Sequence, residues 1–269
     1  MMNSLFTLKG KVAIVTGALG LIGRKHCIAL NGAGANVIVA DLDKAGCIDF
    51  AENHLHDSMG HYLDVCKKET IERLSADVIE RFGRIDILVN NAAINDMFED
   101  PKAAAEQSKF ENYPLELWQE SVNVNLTGVF LCSQVIGSKM LLQKKGNIIN
   151  IGSTYGIDAP NQNLYKDPAG IQSFFKPPAY PVTKAGVIML GKYLASYWGH
   201  YGIRVNTLSP GGVKNGQSEF FIENYSHKTP LGRMAEPGDY MGALIFLASD
   251  ASAYMTGANL VVDGGWTCW

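Results

Sequence analysis

The chain has 269 residues, 47% of them hydrophobic and 18% charged, with a formal net charge of −3. That composition is globular, with enough chain for one large α/β core, and the mild acidity removes nucleic acid and anionic membranes from the expected partners. The N-terminal MMNSLFTLKGK has no long apolar core, no stretch reaches about eighteen uninterrupted apolar residues, and Cys27, Cys47, Cys66, Cys132 and Cys268 are scattered without CxxC spacing. The expectation is a cytoplasmic protein with reduced thiols, without signal peptide, membrane span or metal site.

Lys11 to Thr16 (KVAIVT) reads as a buried strand, followed by Gly17-Ala18-Leu19-Gly20-Leu21-Ile22-Gly23 and a helical pattern from about Leu21 to Leu30. Asn36 to Ala40 is a second buried strand that ends at Asp41 and Leu42. Strand, glycine-rich turn, helix, strand and acid make a dinucleotide-binding unit. The glycines bring backbone N–H groups and a helix N-terminus to a pyrophosphate, and the acid takes ribose hydroxyls. An aspartate there repels a 2′-phosphate, so NAD is expected rather than NADP.

A loose helix from Asp43 to Asp57 and a short strand from His61 to Leu63 come next. Asp64 and Val65 then stand where a loop meets an adenine, although Asp64 reads equally well as a cap for the helix over 67–82. A fourth strand, Ile85 to Val89, runs into Asn90-Asn91-Ala92-Ala93. That small, amide-bearing loop suits either the nicotinamide ribose or a plain turn. Residues 94–114 look irregular, and a long helix is expected from Leu115 to about Leu142 with Val122, Leu126, Val129, Phe130 and Val135 inward. Asn125 lies within it as either a satisfied core amide or a functional one.

A buried strand delivers Ser153, and a later helix carries Tyr180 and Lys184. Tyr-x-x-x-Lys puts both side chains on one helix face, where the ammonium favours a phenolate; a surface pair is the plain alternative. Ile203 to Leu208 is a strand closed by Ser209-Pro210-Gly211-Gly212-Val213, residues 214–233 read as a polar flap, a helix is expected from Pro237 to about Leu247, and Asn259 to Val262 is a last strand. Unbroken strand–helix alternation over 1–269 implies one domain, a doubly wound Rossmann-type parallel sheet of about seven strands with helices on both faces.

These residues together resemble the single-domain short-chain dehydrogenases/reductases over nearly the whole chain. The likeness rests on the turn Thr16–Gly23, Asp41, NNAA at 90–93, NVNLTG around Asn125, NIGS ending at Ser153, YPVTK at 180–184, SPGG at 209–212, and the LGRMAEP and VVDGG segments. The resemblance implies Asn125, Ser153, Tyr180 and Lys184 as a catalytic four. It also implies NAD contacts from Gly17, Leu19, Gly20, Leu21, Ile22, Gly23, Asp41, Leu42, Asp64, Val65, Asn91, Ala92, Ala93, Tyr180, Lys184, Pro210, Gly211 and Val213. In that family Tyr180 would move the alcohol proton, with its pKa lowered by Lys184, and Asn125 would hold a water leading to solvent. The implied activity is alcohol–ketone interconversion in a homodimer or homotetramer, associated through the two long helices and the apolar GGWTCW end.

Three departures matter. Leu21 stands where the family usually has glycine, so the turn reads GxxGxxG, as in sugar-nucleotide-modifying relatives. NNAA replaces NNAG. Ser153 and Tyr180 are 27 positions apart, about twice the family habit. The insert over 157–178 and the lengthened 94–114 stretch are therefore expected to shape the substrate site. Asn161, Gln162, Asn163 and Gln172, with Tyr165, Phe174, Phe175 and Lys166, suit a polyhydroxylated ring, and the phenylalanines suit an oligomer contact equally. The combination is similar to members linked to bacterial surface-sugar and flagellin-glycan biosynthesis. An NAD-recycling epimerase or dehydratase and a non-catalytic NAD-binding protein are the competing readings.

Overall fold

Runs rich in β-branched residues set the strands: β1 Val12–Thr16, β2 Asn36–Asp41, β3 Met59–Tyr62, β4 Ile87–Asn90, β5 Gly146–Ile151, β6 Ile203–Pro210 and β7 Asn259–Val262. The computed structural model describes residues 5–95, 101–166, 168–172 and 174–269. All seven strands pair in parallel in the order β3-β2-β1-β4-β5-β6-β7. Each crossover is carried by helix, which buries both sheet faces.

The period of two along each strand decides which face its residues fill. Ala13, Val15, Val37, Val39 and Ile149 pack under α1 Leu21–Gly32, α2 Lys44–His54 and α9 Met241–Ala248. Val12, Ile14, Ile38, Leu88 and Ile148 pack under α3 Lys68–Phe82, α6 Gly128–Gln143 and α7 Ala179–Trp198. Local signals set several helix ends. The Asp43 carboxylate accepts from Gly46 N at 3.0 Å to start α2, and Gly83, at φ 75°, closes α3.

The long helix is interrupted. α5 Leu115–Val122 passes into a π-turn at Asn123–Thr127 before α6 begins. Beyond that turn the buried stripe is Val129, Cys132, Ser133, Ile136 and Met140. Phe130, expected inward, falls one residue off it and is 45% exposed. Among the described residues the span Leu115–Gln143 alone is long and apolar enough to cross a membrane, and half of its most apolar window is buried in the fold.

Three further expectations change. The 94–114 stretch contains α4 Pro101–Gln107 and a 3-10 turn at Phe110–Asn112, while residues 96–100 lie outside the described residues. The polar flap over 214–233 contains α8 Glu219–His227, started by Ser218 accepting from Phe221 N at 3.3 Å and seated by buried Tyr225. α9 starts at Met241 rather than Pro237. The residues before it turn around the Asp239 carboxylate, which accepts from Glu236 N and the Arg233 guanidinium.

The sheet positions the site. From β1 the chain steps outward to β2 and β3, then returns to lay β4 on the other side. The reversal leaves a crevice beyond the C-terminal ends of β1 and β4, where an open α/β sheet binds ligands.

Candidate active site

The crevice holds a cavity of about 750 Å³. Its rim contains Gly17, Leu19, Gly20, Leu21, Ile22, Gly23, Asp41, Leu42, Asp64, Val65, Asn91, Ala92 and Ala93, all singled out in the sequence. Two glycines are sterically required. Gly17 sits at φ +61° with an added Cβ only 2.7 Å from Ala92 Cα, and a Cβ on Gly23 would overlap the Gly17 carbonyl and meet the Ala18 backbone at 2.9 Å. Gly20 begins α1 without a side-chain cap, and no acid stands in the first turn. The first N–H groups of that helix therefore keep their positive field for an anion. Leu21, in place of the family's glycine, opens α1 and faces the cavity.

The Asp41 carboxylate is fixed by accepting from Leu19 N at 2.9 Å and Leu42 N at 2.8 Å. Asn91 ties β4 to the turn by donating to the Thr16 and Gly17 carbonyls at 3.0 and 2.9 Å. Asp64 does not cap α3. Its carboxylate accepts from Cys66 N and pairs with Lys67, while its backbone meets Thr70. A dinucleotide fits this cradle on steric grounds, through the Cβ-free approach, the uncapped helix end and the oriented carboxylate.

β5 organises the second half. Its end delivers Ser153, 6% exposed, and its Ile151 carbonyl accepts from Lys184 Nζ at 2.8 Å. Ser153 and Tyr180 face the same cavity, and the Ser153 hydroxyl accepts from Tyr155 N at 3.1 Å. Lys184, one turn along α7, is 4% exposed with its ammonium 5.7 Å from the Tyr180 ring centroid. Burial pushes the Tyr180 phenol up, and the Ser153 hydrogen bond pulls it partly back. The Lys184 ammonium is pushed down to about 8, also by burial. The expectation that Lys184 lowers the Tyr180 pKa is corrected: burial raises it, and the opposing pull comes from Ser153.

Asn125 is fully buried in the π-turn. Its Oδ1 accepts from Ile94 N at 2.8 Å, and its Nδ2 donates to Ile94 O at 2.9 Å and Thr183 Oγ1 at 3.3 Å. It thereby joins the loop after β4 to α7. Pro210, the last residue of β6, and Gly211 and Val213 just beyond it line a smaller cavity of about 270 Å³ together with Ser153 and Tyr180. Gly212 N donates to Tyr225 Oη at 2.6 Å, which ties that turn to α8.

The insert supplies the outer wall, with Asp167 and Ser173 outside the described residues. Three of the four amides that the sequence suggested for a ligand, Asn161, Gln162 and Gln172, bond within the insert itself. Gln162 accepts from Lys176 N at 2.8 Å and donates to Lys176 O at 3.2 Å; Gln172 donates to Gln162 O and Phe174 O; Asn161 accepts from Asn163 N. Tyr165 packs against Phe174 and Phe221 at 5.3 and 5.5 Å and shares a hydrogen bond with Tyr155 at 3.2 Å. Lys166 is exposed.

Lys176, which no sequence motif singles out, is 8% exposed and lines the smaller cavity. Its Nζ donates to Asn95 Oδ1 and stands 4.7 Å from the Tyr180 ring centroid. Only its position, four residues before Tyr180 and just ahead of Pro177-Pro178, could have drawn notice. At the C-terminus Trp266 stacks on Tyr225 at 4.1 Å, so of the two terminal tryptophans only Trp269 is left exposed.

A family model described as enoyl-(acyl carrier protein) reductase matches residues 17–267. The chain is 34% identical to a D-threitol dehydrogenase of Mycolicibacterium smegmatis, over 97% of this chain and 95% of that one. It is 30% identical to an NAD-dependent glycerol dehydrogenase of Listeria innocua, over 97% and 96%. It also superposes on a gluconate 5-dehydrogenase of Burkholderia cenocepacia, solved with NADP and tartrate, with a TM-score of 0.86, 28% identity and full coverage of both chains. The protein belongs to the short-chain dehydrogenase/reductase family, whose members use nicotinamide cofactors for alcohol–ketone chemistry.

Proposed function

We propose that this protein is an NAD-linked dehydrogenase that interconverts a secondary alcohol and a ketone on a polyhydroxylated small molecule. The observation that carries this is the convergence of Ser153 and Tyr180 on one cavity contiguous with the glycine cradle, with Lys184 one helical turn beneath Tyr180. The threitol, glycerol and gluconate activities named for the relatives support a polyol or sugar acid. None of those three names bears on surface-sugar assembly.

Bound nicotinamide would supply the hydride acceptor; the chain's residues handle placement and the proton. Tyr180 takes the alcohol proton as base, or returns it as acid in the reverse direction. Ser153 donates to the substrate oxygen and steadies its developing charge. Lys184, anchored on the Ile151 carbonyl, binds the nicotinamide ribose and supports the phenolate. Both amide protons of Asn125 are committed to Ile94 and Thr183, so a water in the proton path would rest on the carbonyls of the π-turn, a feature frequent at functional sites. Gly17, Leu19, Gly20, Leu21, Ile22 and Gly23 take the pyrophosphate side, Asp64 and Val65 the adenine, Asn91 to Ala93 the nicotinamide ribose, and Pro210, Gly211 and Val213 the carboxamide. The Asp41 carboxylate, fixed by two N–H groups at the end of β2, favours NAD over a 2′-phosphorylated cofactor.

The protein acts as one catalytic domain in the cytoplasm and associates with itself. Met189, Tyr193 and Tyr197 on α7 are 62%, 61% and 58% exposed, and Phe130 on α6 is 45% exposed. Such a surface suits a second copy. Light scattering showing only monomer would remove that part.

NADH formation across a panel of polyols, sugar acids and sugar phosphates tests the function, with NADP in parallel and Tyr180→Phe as control. The substitution should lower turnover by about 10²–10⁴-fold while leaving NAD affinity near wild type. A mutant that keeps more than about a tenth of the rate removes Tyr180 as base. Product without net NADH would instead indicate internal redox.

A further inference from the structure

We infer that Lys176 is a second positioning cation for Tyr180, carried to the phenol ring by the insert, so that the phenolate formed during turnover is held by two lysines. The inference rests on Tyr180 being the proton carrier proposed above. Lys176 Nζ lies 4.7 Å from the Tyr180 centroid, closer than the 5.7 Å of Lys184 Nζ.

The position of Lys176 is fixed from three directions. Gln162 clamps its backbone with two hydrogen bonds. The neighbouring Phe175 N donates to Ser108 Oγ at 3.0 Å, tying this part of the insert to the segment after α4. The ammonium donates to Asn95, in the loop that follows β4. Both lengthened segments therefore converge on one ammonium beside the tyrosine. A lysine that served only to cover apolar surface would need no such holding, because its stem can lie along the wall with the head in solvent.

The physics favours the charged form of Tyr180. A cation near a neutral phenol gains only the weak quadrupole attraction of the ring. Once the phenol ionises, part of the negative charge spreads over that ring, and the attraction becomes one between opposite charges. An opposite charge within about 4–6 Å moves a pKa by about 1–3 units. The need is visible in the site, where burial raises the Tyr180 phenol and lowers Lys184 to about 8. As pH rises through about 8, Lys184 loses charge before the raised Tyr180 phenol ionises.

Other groups face this pair. Lys184 shares the helix, and Tyr155, Tyr165 and Tyr225 approach from the segment after β5, the insert and α8. Glu120 lines the cofactor cavity that Tyr180 also reaches. Burial raises all three of those tyrosines and Tyr180 alike, so the Tyr180 phenolate is identified by subtracting the titration of Tyr180→Phe.

The test is a near-ultraviolet phenolate titration of the whole protein, with the matching Tyr180→Phe variant subtracted, for wild type, Lys176→Met and Lys176→Arg. It needs no substrate, so its result stands apart from the polyol reading. Lys176→Met should raise the Tyr180 pKa by about one unit or more, and the acidic limb of the pH profile of kcat/KM should move by the same amount. Lys176→Arg should restore both. Lys176→Gln, which keeps a polar end for Asn95, is the alternative if the methionine form does not fold. An unmoved titration overturns the proposal: a raised KM alone would make Lys176 a substrate contact, and no change at all would make it packing.

Discussion

The cofactor cradle and the insert wall bound the same site, but they are made of different material. The cradle between β1 and β4 is mostly backbone: two glycines without room for a Cβ, an uncapped helix end, and a carboxylate fixed by two N–H groups. The wall over 157–178 is mostly side chain. Tyr165 packs on Phe174 and Phe221, and its amides are spent on its own backbone. A backbone-built cradle tolerates almost no change at its close approaches, whereas a side-chain wall can be rewritten for another ligand while the sheet stays as it is.

The largest expected effect follows from that contrast. Gly23→Ala would force its methyl into the Gly17 carbonyl and the Ala18 backbone. Overpacking against backbone costs about 1–3 kcal/mol, and moving the turn would also remove the anion site. NAD affinity should fall by at least tenfold, with a lower Tm. Gly20→Ala, whose Cβ would stand 3.3 Å from the same carbonyl, should be the milder variant. Calorimetric titration with NAD and thermal unfolding measure both, and equal losses would break the distinction.

The same contrast explains what was legible in the sequence. The strands, Asp41 and the Tyr180–Lys184 pair were readable because their signals are local: apolar runs, fixed glycine spacing and an i, i+4 pair; Asn125 stood out only through the family resemblance. Phe130 was misplaced because the π-turn at Asn123–Thr127 shifts the helical phase, and no composition signal marks it. Gln162 and Gln172 bond within the insert, which residue types alone do not reveal. Lys176 went unseen because Asn95 and Tyr180 are distant in chain or role and meet it only through tertiary structure.

A pH-dependent effect comes from the cradle's own helix. His26 on α1 is fully buried, and neither ring nitrogen has a hydrogen-bond partner among the described residues. Burial lowers its pKa from 6.5 to about 4. The unfolded chain therefore binds the proton first as pH falls. His26 contributes its full stability above about 6.5 and loses it as pH falls toward 4, by about 3 kcal/mol in all. Urea unfolding between pH 7 and 4 should show that slope, and His26→Leu should flatten it. An unchanged slope would place the acid sensitivity elsewhere.

The smallest effect belongs to the wall. Gln162→Ala removes the two hydrogen bonds that hold the Lys176 backbone, at a net cost of about 1 kcal/mol for each neutral bond. That loss falls on the insert rather than on the glycine turn or Asp41, so NAD affinity should stay within about twofold while KM for the polyol rises by up to about thirtyfold, the size expected if both bonds are lost from binding. Fluorescence titration with NADH and steady-state kinetics on the same preparation separate the two quantities. If NAD affinity fell in step with KM, the wall and the cradle would be one cooperative unit, and the insert could not be exchanged for a new substrate without rebuilding the cofactor site.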